Sequence, residues 1–544
     1  MKRHFRLKNI LPAFIMMIGL GMTSCTGDLD VENINPNNEN ELNVNALFNK
    51  CYANLAMAGN GGANGDTDID GLDGGTTGFV RQMFNANELT TDEAICAWGD
   101  NGIAEFNFNQ YDASHPMLRG YFYRLVNGIT YCNKYIEVAS DYDKQMTAEI
   151  RFLRAFQYYL LADAFGNIPF ALTNSKANKS QYTRKQVYDF LETELLAIEA
   201  DLADAAPKTS AQSGYGRVDK AAAWLLLSRL YLNAEVFTGT AQWQKAADYA
   251  EKVMNSSYQL NTTSQNGWSA YQMLFMGDNG ESSAAQEAIF PILQDGLKTT
   301  SWGTSLYLIA STFATDMKNP SDPTQTNGVS GQAWGGNRAR PDLIRKFFPN
   351  DDAPEVDSYE MPGKANDDRA IFWGKDRSLS NGSTTADIGT FKNGYSVAKF
   401  INTKSDGTSG SSTTFADTDF FLLRKAEAYL NYAEATARLN GGSTTAAGTS
   451  AVNELRKRAN AQEKAGYSLE DLCDEWSREF YFEGIRRPTL IRFGYFGGSN
   501  GYKWQWKGGT YEGRDFEAYK NVFAIPTDEL SSSGGSIVQN NGYK

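Results

Sequence analysis

Few side chains in this 544-residue sequence are equipped for catalysis, and many are equipped for contact. Only two histidines occur, His4 and His115, and His4 falls in a removable leader, so His115 is the one imidazole of the mature chain. That excludes a multi-histidine metal centre and leaves no histidine to spare for a Ser-His-Asp site. With 64 acidic residues, carboxylate pairs arise everywhere by chance, and no local motif marks the acid and base that glycoside hydrolysis requires. Cys51, Cys96, Cys132 and Cys473 are widely spaced and lack any C-x-x-C, which is neither a zinc pattern nor a disulfide scaffold. Large aromatics are placed differently: Phe79, Trp98, Trp268, Trp302 and Trp334 stand in or beside stretches dense in Gly, Asn, Ser, Thr and Asp (59–78, 262–287, 318–340 and 403–416). Loops of that length are often functional. A pyranose ring has an apolar C–H face that packs on an indole and a rim of hydroxyls that needs hydrogen-bond partners, so tryptophans in polar loops point to sugar recognition. The competing reading is that each tryptophan packs its own loop against a scaffold. Asp417 and Asp419, in FADTDFF, are oxygen ligands two residues apart. Ca²⁺ takes six to eight oxygens, so the pair alone is short of a site, and Asp419 serves equally as a helix N-cap with Asp417 solvated.

The elements that must carry these loops are helical. TAEIRFLRAFQYYLLADAF (147–165) and residues 186–202 repeat apolar groups every three or four positions, and Gly166-Asn167 ends the first of them. DKAAAWLLLSRLYLNAEVF (219–237) is apolar on most sides and predicts a buried helix, followed after Thr238-Gly239-Thr240 by amphipathic AQWQKAADYAEKVMNSS. This hairpin, with alanines at the contact and Tyr or Trp as knobs, resembles a tetratricopeptide (TPR) unit. FLLRKAEAYLNYAEATARLN (421–440), a partner near 447–460 and a helix over 468–485 predict more of the same. Glu479, Glu483, Arg486 and Arg487 are charged neighbours on a helix and are expected to salt-bridge it within that scaffold.

The N-terminus reads as an export signal. Lys2, Arg3, Arg6 and Lys8 precede the apolar stretch 10–20, which is too short to span a bilayer, and small and polar residues then lead to Cys25. Cysteine at that point resembles a bacterial lipobox, with Met22 where Leu is commoner, so residues 1–24 form a lipoprotein signal and Cys25 carries the lipid. Residues 25–45 are the lipidated cysteine and a polar, Asn-rich tether, and 46–544 one domain. The formal charge of −13 and the lack of a basic run exclude nucleic acid as a partner.

WSREFYFEGIRRPTLIRFG (476–494) resembles the C-terminal signature of the SusD family, outer-membrane lipoproteins of Bacteroidetes-type bacteria. TAEIRFLRAFQYYLLADAFGNIPF, GRVDKAAAWLLLSRLYLNAEVFTG and AIPTDELSSSGGSIVQNNGYK are similar to it in the same order, over nearly the whole mature chain. The resemblance implies a mainly α fold: a TPR-like helical-hairpin scaffold (about 46–58, 115–260 and 420–495) with a loop-rich, irregular ligand-binding lobe (about 59–110 and 262–416). It implies no enzyme activity, a cell-surface location on the outer membrane, and delivery of glycan to a TonB-dependent, SusC-type porin. The likeness is greatest to a starch-binding member. By it Asp73, Arg81 and Asn101 would hydrogen-bond glucose hydroxyls, while Trp98, Trp302 and Trp334 would form an aromatic arc for α-1,4-glucan and malto-oligosaccharides. Trp302 replaces a Tyr, Cys96 replaces an aromatic beside Trp98, and five extra residues precede Trp334. The same likeness suggests a structural Ca²⁺ at Asp417 and Asp419, with Glu281 or Gln294 adding oxygens, although Gly280 stands where the family has an acidic ligand; no other cofactor is implied. A family member with another glycan or a peptide ligand is the alternative, ahead of a hydrolase or a plain TPR interaction scaffold.

Overall fold

The computed structural model describes residues 43–543 apart from 66, 175–179 and 325, so the leader, Cys25 and the tether up to residue 42 lie outside the described residues. The chain divides between Leu47 and Phe48. The first described element, helix α1 (Val44–Ala56), starts at Val44 rather than Ala46. No helix among the described residues is long and apolar enough to cross a membrane.

The principal helices after α1 are α2 (Phe79–Asn87), α3 (Pro116–Ala139), α4 (Lys144–Phe165), α5 (Arg184–Ile198), α6 (Lys220–Leu232), α7 (Trp243–Met254), α8 (Ser305–Ser311), α9 (Ala426–Leu439), α10 (Ala446–Arg458), α11 (Leu469–Phe480) and α12 (Arg486–Arg492). Their starts are written in the sequence. Asp143 accepts from the Met146 amide, Asp219 from Ala221 and Ala222, and Thr183 and Ser468 close reciprocal capping boxes with Gln186 and Asp471. Gly166, with φ of 70°, ends α4 in a conformation that suits glycine. The helices pack as antiparallel neighbours, α3 on α4, α6 on α7 and α9 on α10, and α7 bridges α6 to α9. Ala221, Ala222, Ala246, Ala247 and Ala250 are all buried, and their small side chains let α6 and α7 approach closely. The expected TPR-like hairpins are therefore present.

Two expectations needed correction. Residues 421–424 are not helical. Strand β4 (Phe420–Arg424) pairs antiparallel with β2 (Ala288–Ile292), because a short apolar run buried on both sides satisfies its backbone by pairing, and α9 begins only at Ala426. Asp419 thus precedes a strand and caps no helix. Likewise Glu479, Glu483, Arg486 and Arg487 do not share one helix, because α11 ends at Phe480, although the two glutamates do ion-pair within the scaffold. Glu479 binds Arg369 (3.4 Å), Arg424 (2.6 Å) and Arg458, and Glu483 binds Arg424 and Lys399 (2.8 Å each). Arg486 reaches Asp92 at 2.7 Å, and Arg487 donates to the Lys520 and Asn521 carbonyls. After α11 the chain turns at Phe482 (φ 65°) and Gly484 (φ 82°), which splits the expected continuous helix and aims these charges at different elements. The family-like segment 476–494 therefore rivets the helices to the loop-rich lobe, through Arg369 and Asp92 in particular. Removing one partner from such a buried pair costs about 3–5 kcal/mol.

The loop-rich lobe holds the remaining strands relevant here, β1 (Ala94–Cys96) and β3 (Asn337–Ala339), paired antiparallel with Cys96 opposite Asn337. The four cysteines among the described residues, Cys51, Cys96, Cys132 and Cys473, are buried and unpaired.

Candidate functional site

The β1–β3 ladder fixes the heart of the site. Its hydrogen bonding continues one residue past β1, where the Ala97 amide donates to the Gly336 carbonyl at 2.9 Å. Trp98 and Trp334 are thereby brought alongside each other from positions 236 residues apart, with ring centroids 6.3 Å apart and planes tilted by 47°. Helix α8 holds the second of them: the amides of Trp334, Gly335 and Gly336 donate to the carbonyls of Ala310, Phe313 and Ser311 at 2.7, 2.9 and 2.7 Å. These carbonyls at the end of α8 need partners from outside the helix, and the strap formed by residues 334–336 supplies them. The loop leading into α8 carries Trp302, whose ring lies 6.2 Å from that of Trp334 at a tilt of 45°. The order Trp98, Trp334, Trp302 is therefore continuous in space, and no two neighbouring rings are coplanar.

Each of these indoles is half-buried, and each N–H is already bound to protein. Trp98 donates to the Trp334 carbonyl (3.2 Å), Trp334 to Gln332 Oε1 (2.9 Å) and Trp302 to the Ala63 carbonyl (3.3 Å). What they leave to a ligand is ring surface. Gly336 makes room for Trp98: a Cβ there would lie 2.2 Å from the indole Cε2.

Asp73, Arg81 and Trp302 converge on Gly75. A Cβ on that glycine would stand 3.2 Å from Asp73 Oδ1, 3.6 Å from Arg81 Nη1 and 3.1 Å from Trp302 Cβ. The Arg81 guanidinium lies over the rings of Tyr307 (5.1 Å) and Trp98 (5.9 Å), with its Nε unbonded. Burial raises the pKa of Asp73, but the Thr76 hydroxyl and amide, at 2.5 and 2.9 Å, and the nearby Arg81 outweigh it and hold the carboxyl below its ordinary value. Asn101 is exposed beyond Trp98. The scaffold anchors this loop: buried Arg124 of α3 donates to the Thr77 carbonyl (2.8 Å) and pairs with Asp68 (2.8 Å). Gly78 and Gly303 meet backbone to backbone, where a Cβ on Gly78 would fall 2.5 Å from the Gly303 Cα.

One aromatic escaped the sequence reading. Phe415 packs against Trp302, at 4.8 Å between centroids and 57° between planes. The signal was available, since Phe415 ends a polar stretch in the same way as the tryptophans do.

Asp417 and Asp419 lie close in space to Glu281, but their oxygens already face protein donors. Asp419 accepts from Tyr215 Oη and the Gln294 amide (2.7 Å each), and Asp417 from the Gly296 amide (2.7 Å) and Ser411 Oγ (2.6 Å). The Gln294 side chain turns to the Leu293 carbonyl. Among the described residues no group of three or more His, Cys, Asp or Glu side chains is arranged to hold a metal. Burial, with Asp417 and Glu281 nearby, pushes Asp419 up to about 7. His115 is a helix cap: Nδ1 accepts from the Leu118 amide (3.2 Å), Nε2 meets the Gly102 carbonyl (2.9 Å), and burial lowers its pKa. That leaves the one imidazole among the described residues in a structural role.

Residues 374–543 match the SusD family, and residues 29–232 match a second family described as starch-binding and associating with the outer membrane. The chain is 38% identical to the starch-binding protein SusD of Bacteroides thetaiotaomicron, over 98% of both chains. It is also similar in fold to surface glycan-binding protein A of B. thetaiotaomicron, solved with laminarihexaose (TM-score 0.64, 19% identity, 92% of this chain and 99% of that one). A SusD-like protein of Bacteroides fragilis gives the same TM-score and identity, over 92% and 96% of the two chains. A long helical scaffold carrying an aromatic-lined loop lobe is an architecture this chain shares with proteins described as surface glycan-binding proteins. The chain belongs to the SusD family, whose members are non-catalytic glycan-binding proteins of the outer-membrane surface.

Proposed function

We propose that this protein captures starch or malto-oligosaccharides at the cell surface and passes them to a SusC-type, TonB-dependent porin, held to the membrane by a lipid on Cys25. The observation that carries the ligand class is the run Trp98–Trp334–Trp302, three half-buried rings with their N–H groups already engaged. Such rings stack, and successive tilts of 47° and 45° offer a broken surface that suits a curved α-1,4-glucan better than a flat cellulose-like ribbon. Arg81, Asp73 and Asn101 stand beside it with donors and acceptors for sugar hydroxyls. The high identity to a starch-binding protein supports the choice of α-glucan, whereas the structural neighbour solved with laminarihexaose keeps a β-glucan as the second reading.

Native gels containing amylopectin, pullulan, laminarin or xylan test the ligand. Retardation by amylopectin and pullulan is expected. Retardation by laminarin alone would move the protein to β-glucan while leaving the aromatic surface as the site.

A further inference from the structure

Of the tryptophans seeded in the polar loops, Trp268 takes no part in the aromatic run, and its surroundings differ from those of the other three. Its indole N–H has no partner among the described residues, whereas Trp98, Trp302 and Trp334 all donate to protein. The ring is half-buried and faces Tyr359, at 5.8 Å between centroids and 49° between planes. Tyr359 is 39% exposed.

The loop that presents Trp268 is rigid. Gln265 and Trp268 exchange both backbone hydrogen bonds (3.1 and 2.9 Å) around Asn266-Gly267, whose φ values of 52° and 89° make the left-handed two-residue turn that Asn-Gly favours. The turn is tied at both of its first two side chains, with Gln265 Nε2 donating to Ser405 Oγ (3.2 Å) and Asn266 Nδ2 to the Ser405 carbonyl (2.9 Å). Ser405 is itself held by Asp278 through its amide and hydroxyl at 3.0 and 2.5 Å. A hairpin tied twice to Ser405 thus carries a ring whose donor is unused. Beneath the ring pair, a cleft of about 20 Å³ reaches Gln272 and Ser358. That is room for one water or hydroxyl, so a ligand ring would lie across the rim and not enter.

We propose that Trp268 and Tyr359 form a second glycan contact, taking one pyranose unit of a polysaccharide with its C–H face on the indole, while a hydroxyl of the adjoining unit, at the ring edge, accepts from Trp268 Nε1–H. The inference rests on the chain's binding glycans, and it extends that binding to a surface outside the first aromatic run. A protein partner is the less favoured occupant, because two tilted rings with polar neighbours present no broad apolar face. A polymer long enough to engage both surfaces gains avidity that a short oligosaccharide does not.

The test compares three full-length proteins: wild type, Trp268→Ala/Tyr359→Ala, and Trp98→Ala/Trp302→Ala/Trp334→Ala. Each is run in amylopectin, pullulan and laminarin gels and titrated with maltotriose and laminaritriose, with melting curves checking the fold. The indole N–H resonance of Trp268, assigned by its loss in the variant, is followed by NMR. Expected are a shift of that resonance on adding trisaccharide and weaker polymer binding by Trp268→Ala/Tyr359→Ala, roughly 5- to 100-fold in dissociation constant, by rough analogy with losing a stacking platform. Its trisaccharide affinity at the first aromatic run stays as in wild type. If this variant binds every polymer as wild type does and the resonance stays still, the proposal falls while the first site stands. If only the Trp98/Trp302/Trp334 variant keeps wild-type binding, the second contact stands and the first reading falls. Wild-type glycan binding by Trp268→Ala/Tyr359→Ala together with loss of a co-purifying membrane protein assigns the surface to that partner and overturns the proposal.

Discussion

Replacing Trp334 by alanine separates stacking from packing, because its ring sits between those of Trp98 and Trp302, at 6.3 and 6.2 Å. The substitution spares the frame. The backbone amides of residues 334–336 hold the strap to α8, and Trp98 donates to the carbonyl of residue 334, which alanine retains. What disappears is the central platform. By rough analogy with base–aromatic stacking, that costs about 1–3 kcal/mol of binding, a loss of roughly 5- to 150-fold in affinity. The stability cost is bounded by burial. A half-buried tryptophan hides on the order of 100 Å², worth about 2.5 kcal/mol at 25 cal/mol per Å², against about 3–5 kcal/mol for a core aromatic. Isothermal titration with maltoheptaose, paired with chemical denaturation, reads both quantities. Trp334→Phe keeps a ring face and should recover most of the affinity. A Trp334→Ala protein that binds like wild type yet loses 4 kcal/mol or more of stability would falsify the platform role and make Trp334 a packing residue.

Gly336→Ala tests the same surface without deleting a ring: its methyl would meet the Trp98 indole at 2.2 Å, so glucan affinity should drop several-fold, and unchanged affinity would show that the position of Trp98 does not matter. Asp419 gives a pH signature. Its folded pKa of about 7 lies above its ordinary 3.8, so the folded protein holds a proton that the unfolded chain releases between those values. Stability from this group is therefore fully present below pH 3.8 and declines as pH rises toward 7, by about 4 kcal/mol at most. Asp419→Asn should flatten that decline in urea titrations, and an identical slope for both proteins would refute it. A structural Ca²⁺ at Asp417 and Asp419 remains a proposal with a separate readout: chelation lowers the wild-type melting temperature if the ion is bound, and an unchanged melt with metal-free protein by elemental analysis removes it. Cys25→Ala should leave a folded, soluble protein, and its persistence in the membrane fraction of cells lacking the porin would end the lipid-anchor reading.

Much of this protein is legible in its sequence. The apolar spacing of 147–165 and the alanine-rich 219–256 dictate their helices and hairpin, because periodicity and capping are local properties. The scarcity of histidine and the tryptophans in polar loops are properties of composition, and they pointed to contact rather than catalysis. Tertiary structure decided what depends on distant partners. Residues 421–424 have the composition of a helix start, yet they become strand because Ala288–Ile292 lies ready to pair with them. Glu479, Glu483 and Arg486 look like helix neighbours, yet α11 ends at Phe480 and positive φ at Phe482 and Gly484 takes Arg486 off the helix, toward Asp92, which is remote in sequence. The aromatic surface itself exists only through the β1–β3 register and the carbonyls at the end of α8, which join residues 98, 302 and 334. A sequence can say which side chains stack on sugars, but the spacing and tilt between rings come from backbone pairings such as Cys96 with Asn337 and Trp334 with Ala310.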